Sequence, residues 1–399
     1  MKEKLKTLYK AYEKAFKKED DRNVLSIINE ILILQKENKD KFKEKNYKLM
    51  TSKLYFNSAL VYMKLKDIDK SLKYLDKAIE KNKRYSKAYF NKAIILEDLN
   101  ELDEALKAYN KAIIFNPKDH TYIHNRALLK VKLEKFKEAI MDFNQAIQLK
   151  PDNYKSYYDR AILELQLNMF KLAIKDFDSA KKINNKKYEL YHNRAIAKAS
   201  IDEFDEALAD LNTALKIKHD LNVYKDRASI YYILKEYDKA IYDLKIIIDQ
   251  KDNYFDIYEV YNQIALCYYN KKKDEENYHF SLFYFKLCIY KKDSEYYFDF
   301  AMLYHKYNKM NEAIELLNNA IELDNQDYRF YNNRGSIYFN KKLFKKALGD
   351  FEKTIKLNPD FIQAYSNRNI CISKLRNTIL VENKRKYLNN TLQNKKDLT

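Results

Sequence analysis

Apolar, small and polar positions recur along this chain with a period close to 34 residues. A small-residue column runs through Ala59, Ala93, Ala127, Ala161, Ala195, Ala228, Ala265, Ala301 and Gly335, in steps of 34, 34, 34, 34, 33, 37, 36 and 34. Four residues before each stands a large one, as in Tyr55, Tyr89, Ile123 and Tyr157. Twelve residues after it comes a second small column: Ser71, Ala105, Ala139, Ala173, Ala207 and Ala240, then Ser281 (four residues late), Ala313 and Ala347. Large residues follow four further on, from Leu75, Tyr109 and Phe143 to Phe351, and mostly small ones three beyond those. Spacings of three, four and seven put such residues on one face of a helix. Each period therefore predicts two amphipathic helices. The small columns let backbones approach, and the large residues fill the space between neighbours.

The stretch Tyr331-Asn332-Asn333-Arg334-Gly335-Ser336-Ile337-Tyr338, followed by Ala347, Phe351 and Pro359, resembles the tetratricopeptide repeat pattern of aromatic, small, Tyr, Ala, Phe and Pro. The resemblance covers nine consecutive units over residues 52–361. It implies an all-α fold, a right-handed α-solenoid of stacked helix-turn-helix repeats whose first helices line a concave groove for a partner. The chain departs from the family in having no tryptophan, and proline closes a repeat only at Pro117, Pro151 and Pro359. Lys130, Glu164 and Lys198 replace the Tyr338-type residue. Residues 1–51 carry two helical patterns, about 3–18 and 22–37, read as an atypical N-terminal cap. Residues 362–376 restart a repeat and stop, which reads as a C-terminal capping helix, and 377–399 as a polar basic tail.

Composition narrows the classes. With 2 glycines and 3 prolines in 399 residues, the sequence argues against strands joined by tight turns and against a phosphate-binding loop. Three cysteines exclude a disulfide scaffold. No apolar run reaches the length of a membrane span and no signal-peptide core follows the N-terminus, so the expectation is a cytoplasmic protein without membrane insertion. The net charge of +18 sits largely at the ends: residues 1–51 hold 14 basic and 9 acidic side chains, and 362–399 hold 8 and 2. The repeats between them have a mixed-charge surface.

Three columns describe the expected groove. Two residues before each small position lies a polar residue: Asn57, Asn91, Asn125, Asp159, Asn193 and Asp226 in the first six repeats. In the related O-linked N-acetylglucosamine transferases, an asparagine ladder at the matching place grips an extended peptide. The amide suits this because it both donates and accepts. Bonding within the array is the competing reading. The preceding column is Phe56, Phe90, His124, Tyr158 and His192, an aromatic floor or else a packing layer. A rim column changes sign, from Lys53, Lys87 and Lys155 to Glu189, Glu259 and Glu295, and would steer a partner of mixed charge into register. An arginine column (Arg126, Arg160, Arg194, Arg227, Arg334, Arg368) is read as pairing with neighbouring carboxylates.

The histidines do not converge, the cysteines fall at packing positions, and no nucleophile elbow or metal-spaced pair occurs. We therefore assign no catalytic residue, cofactor or metal. The expected function is a non-enzymatic protein–protein interaction scaffold whose groove takes an extended peptide or amphipathic helix of another protein. A nucleic-acid-associated repeat protein using its basic termini is the alternative; it is disfavoured because the basic residues form no continuous stripe along the repeats.

Overall fold

The computed structural model describes residues 2–250 and 256–396, with side chains to residue 386 apart from those of 2, 379 and 383. The end of the sixth repeat at 251–255, the last three residues of the basic tail, and the side chains of Lys395 and Lys396 lie outside what is described. The described residues form 21 α-helices and two short 3-10 turns, with no strand. The chain divides into two compact units, Met1–Ile217 and Lys218–Thr399.

In the first unit, α1 (Lys2–Lys17) and α2 (Asp21–Glu37) precede five hairpins. These are α3 (Glu44–Lys64) with α4 (Ile68–Lys81), α5 (Ser86–Asp98) with α6 (Leu102–Phe115), α7 (His120–Lys132) with α8 (Phe136–Leu149), α9 (Tyr154–Gln166) with α10 (Phe170–Ile183), and α11 (Tyr188–Ala199) with α12 (Phe204–Ile217). The second unit continues with α13 (Leu221–Ile233) and α14 (Tyr237–Asp249), α15 (Ile257–Asn270) and α16 (Glu275–Cys288), α17 (Ser294–Lys306) and α18 (Met310–Leu323), and α19 (Tyr328–Asn340) and α20 (Phe344–Leu357). It closes with α21 (Ile362–Lys396). Within each unit every helix packs on the next, and first helices of neighbouring hairpins touch, α7 on α9 and α9 on α11. This is an all-α repeat solenoid.

The columns explain the packing. Tyr109, Phe143, Phe177, Phe285 and Phe351 of the second helices are fully buried, each contributing about 2–3 kcal/mol of apolar transfer energy. They sit over the small column of the first helices. A Cβ placed on Gly335 would lie 3.0 Å from Phe351 Cε1 and 3.1 Å from Asp350 Cβ, so even alanine would have to displace its neighbours slightly. Where serine replaces alanine in the second column, its hydroxyl donates to the carbonyl of the first-column residue: Ser71 to Ala59 and Ser281 to Ala265, both at 2.9 Å. All three cysteines are buried, and burial pushes the Cys267 and Cys288 thiols up to about 12.

Two expectations change. Glycine scarcity does not exclude turns at positive φ. Lys66, Asn100, Glu134, Asn168, Asp202, Lys235, Asn308 and Lys342, each seven residues after the small column, close their hairpins at φ 57–62°. The residue after each bonds back across the turn, as Lys135 N to Lys130 O at 2.8 Å. The hydrogen-bonded turn holds an L-residue in the left-handed region. Second, the capping segment and the tail, given separate bounds at 376, share one helix, Ile362–Lys396, in which no proline or glycine occurs. At the other end α1 and α2 bury Leu5, Val24, Ile28 and Ile31 with Leu54 and Val61 of α3, a helix that starts at Glu44, ahead of the first repeat position.

Candidate functional site

The arginine column is structural. In Arg126, Arg227 and Arg334, Nε and Nη2 donate to both oxygens of Asp142, Asp243 and Asp350 at 2.7–2.9 Å. Arg160 and Arg194 grip Asp176 and Asp210 the same way. Each aspartate lies sixteen residues on, in the second helix of the same hairpin. Nη1 reaches back to the preceding second helix, to Asn110 from Arg126 and to Asn318 from Arg334. The bidentate fork therefore ties three helices together. These arginines are not available to an anionic partner. The aspartates recur immediately before the large column, in the five full hairpins that carry the arginine. In α15–α16 and α17–α18 the arginine place holds buried Ile264 and Phe300, and the aspartate place holds Tyr284 and Leu316. That co-occurrence was the signal in the sequence for the acidic partners.

The polar ladder is partly turned inward. Asn91, Asn125 and Asn193 donate their side-chain amide to the carbonyl four residues back, at Lys87, Thr121 and Glu189, each at 2.8 Å. Asn57 donates to Tyr12 OH, and Asn193 also to Tyr158 OH, both at 2.9 Å. Asp159 Oδ2 lies 3.2 Å from His124 Nε2. Asp226 and His192 are half-buried and also engaged. Asn193 thus uses both amide N–H groups within the array, whereas Asn57, Asn91 and Asn125 each use one of their two.

The preceding column is mainly a layer between first helices. Phe56 is buried against Tyr85, and Phe90 stacks on Tyr122 at 4.6 Å. His124 is buried, with Nδ1 3.1 Å from Ser156 Oγ. Ser, His and Asp therefore lie in a row, but Ser156 is fully buried and its oxygen also accepts from Asn153 at 2.9 Å. The row pins α7 to α9 and presents no nucleophile. Tyr158 stacks on Tyr154, and desolvation raises its phenol to about 12, opposed by the bond from Asn193.

Of the rim, Lys53, Lys87 and Lys155 are exposed and Glu189 is half-buried. Glu259 pairs with Lys225 at 2.8 Å and Glu295 with Arg329, so much of the acidic stretch is neutralised by its neighbours.

One depression gathers several of these residues. It encloses about 670 Å³ along α7, α9 and α11 and is lined by His124, Asn125, Lys155, Tyr158, Asp159 and Glu189, with Leu128 and Lys187 beside them. Asn57, Phe56, Asn91, Phe90 and Lys53 lie outside it.

Tetratricopeptide repeat models match residues 52–83, 86–119, 120–153 and 328–361, and a further TPR repeat model matches 302–342. The chain belongs to the tetratricopeptide repeat family. Similar solved structures include a tetratricopeptide repeat protein from Parabacteroides merdae, at 17% identity over 80% of this chain and 98% of that one, TM-score 0.45. The pilF protein of Pseudomonas aeruginosa gives 15%, 54%, 98% and 0.46 for the same quantities. The Cut9–Hcn1 hetero-tetramer of the APC/C gives 12%, 92%, 96% and 0.44. None of the three reaches a TM-score of 0.5. Tetratricopeptide repeats are generally non-catalytic, and membership of the family makes this chain a protein–protein interaction scaffold.

Two smaller cavities in this tetratricopeptide repeat protein follow from one sequence feature. The position after the small column is aliphatic in most repeats, as in Leu60, Ile94, Leu128 and Leu266, but serine at Ser229 and Ser336. At Ser229 a cavity of about 270 Å³ opens among Ala228, Ile233, Leu244 and Leu266, and at Ser336 one of about 180 Å³ opens beside Phe339 and Phe351. Both hydroxyls donate to their own helix, to Lys225 O at 3.0 Å and Asn332 O at 2.8 Å; the walls at Ser229 are then mainly apolar, while Asn340 and Asn367 help to line the cavity at Ser336. Among the described residues no group of three His, Cys, Asp or Glu side chains could hold a metal ion, and no helix is long and apolar enough to cross a membrane.

Proposed function

We propose that this protein is a non-enzymatic scaffold that binds an extended segment of another protein along its first helices, gripped at the α7–α9–α11 depression. On this reading nine repeats over 52–361 form the binding array, with 1–51 and 362–376 as its caps and 377–399 as a basic tail. The depression carries the reading: six residues singled out by column position alone line a single concavity. The chemistry is consistent. The Asn125 amide lines the depression and donates one N–H to Thr121 O, which leaves a second N–H and the carbonyl oxygen to pair with the backbone of a passing strand. Lys155 with Asp159 on α9 and Lys187 with Glu189 at the start of α11 line it with both charge signs, which favours a segment that carries both.

The test is a photo-crosslinking amino acid at Leu128, in the depression, with one at the exposed Met141 of α8 as control, in nuclease-treated lysate. The expected result is a discrete protein joined through position 128 and not 141, lost when Asn125→Ala and Lys155→Glu are introduced. Adducts that disappear on nuclease treatment, or equal yields at both positions, would overturn it.

A further inference from the structure

The first helix α21 ends the array with an arginine that lacks its carboxylate. Arg368 stands in phase with Arg334 and holds the same pose over the tyrosine three residues back. Its guanidinium carbon lies 5.5 Å from the Tyr365 ring, against 5.6 Å for Arg334 over Tyr331 and 5.4 Å for Arg227 over Tyr224. Every other arginine in the column grips an aspartate sixteen residues on. For Arg368 that residue is Lys384, exposed and still within the same unbroken helix. The Arg368 Nε is shut off from solvent and has no hydrogen-bond partner among the described residues; Nη2 reaches only Asn369 Oδ1, at 3.3 Å.

The place of a second helix beside α21 is also open. Asn369 stands in the small column, where Ala59 to Ala301 are at most 2% exposed and Gly335 is buried, yet it is exposed. Ile370 next to it is 50% exposed. The surroundings are basic, with Lys374, Arg376, Lys384 and Arg385 exposed along α21. The five complete pairs supply the template for what fits: small-x-x-Asp-large, as Ala139 to Phe143, Ala173 to Phe177, Ala207 to Leu211, Ala240 to Leu244 and Ala347 to Phe351.

We propose that α21 is a docking site for an acidic amphipathic helix of a partner protein, which lies where a second helix would fold back and places an aspartate in the Arg368 fork. The carboxylate satisfies the buried Nε, the apolar residue after it covers Ile372, and the acidic outer face meets the basic stretch. This surface is separate from the α7–α9–α11 depression and does not depend on it.

A helix-stapled, fluorescein-labelled peptide of sequence 202–218, an acidic segment with Ala207, Asp210 and Leu211 in that template, is titrated with the full chain by anisotropy. Arg368→Gln is expected to weaken binding at least tenfold. Changing the peptide's aspartate to asparagine is expected to do the same, and the two changes together to cost no more than either alone. Asn369→Ala, which restores the small column, is expected to tighten binding. The thermal midpoint of Arg368→Gln should match the parent, because the arginine has no carboxylate to lose. Equal affinity for parent and Arg368→Gln, or additive losses, would overturn the proposal. So would self-association of the parent in sedimentation that Arg368→Gln abolishes, since a second copy would then be the occupant.

Discussion

Glu164 gives the sharpest test of how this array balances its buried charge. In α7 and α11 the matching residues are Lys130 and Lys198, each 2.9 Å from the aspartate of its own hairpin, Asp142 and Asp210. In α9 the same place holds a carboxylate facing Asp176. Glu164 is 6% exposed, and its Oε2 has no partner among the described residues. Burial first, and then the charge of Asp176, raise it from 4.5 to about 7, with Arg160 opposing. The folded chain thus holds this proton more tightly than the unfolded one. Stability is unaffected below about pH 4.5 and falls as pH rises towards 7, where the carboxyl ionises without a partner. At about 1.4 kcal/mol per pH unit, the full penalty above pH 7 is about 3 kcal/mol. Glu164→Gln should remove it. Glu164→Lys should go further by reproducing the Lys130 and Lys198 pairing. Since repeat arrays need not unfold in one step, the assay is native-state hydrogen exchange of α9 and α10 amides at pH 5 and pH 8. The glutamine variant should be more protected than the parent at pH 8, by about 3 kcal/mol, and by less than about 1 kcal/mol at pH 5. A difference of the same size at both values would refute the reasoning, because a packing effect does not titrate.

Two further outcomes concern the same fold. Arg334→Met should cost about 3 kcal/mol in denaturant unfolding of the second unit's repeats, because Asp350 is left buried and unpaired. Arg334→Met with Asp350→Leu should recover most of the loss, as α17–α18 already runs on Phe300 and Leu316; a double variant as weak as the single would contradict this. Ser229→Leu should fill the cavity at that position and raise the thermal midpoint, by about 1 kcal/mol of stability, since the serine hydroxyl bonds only within its own helix. A lowered midpoint would mean that the cavity walls cannot accept the side chain.

The sequence by itself determined the helix hairpins and which residues meet inside them. A 34-residue period with small and large columns at helical spacing leaves one face per helix that can be buried, and neighbouring turns of one helix are fixed by local geometry. It also showed the arginine column and its structural role; of the positions singled out for a groove, six line the depression and the others do not. Only the tertiary structure decided the partners. The aspartate that each fork grips lies sixteen residues away, across a turn. One N–H of the Asn193 amide goes to Tyr158, thirty-five residues away, in the neighbouring first helix. Whether Lys130 and Glu164 are surface charges or buried ones depends on what packs over them, which one helix does not specify. Composition misled at the turns, where Lys66 and Glu134 take the left-handed conformation that glycine favours because hydrogen bonds across the hairpin hold them there. Arg368 is a mixed case: the sequence already shows Asn369 in the small column and Lys384 where the aspartate would stand, and the unreversed course of α21 leaves the place beside its fork open.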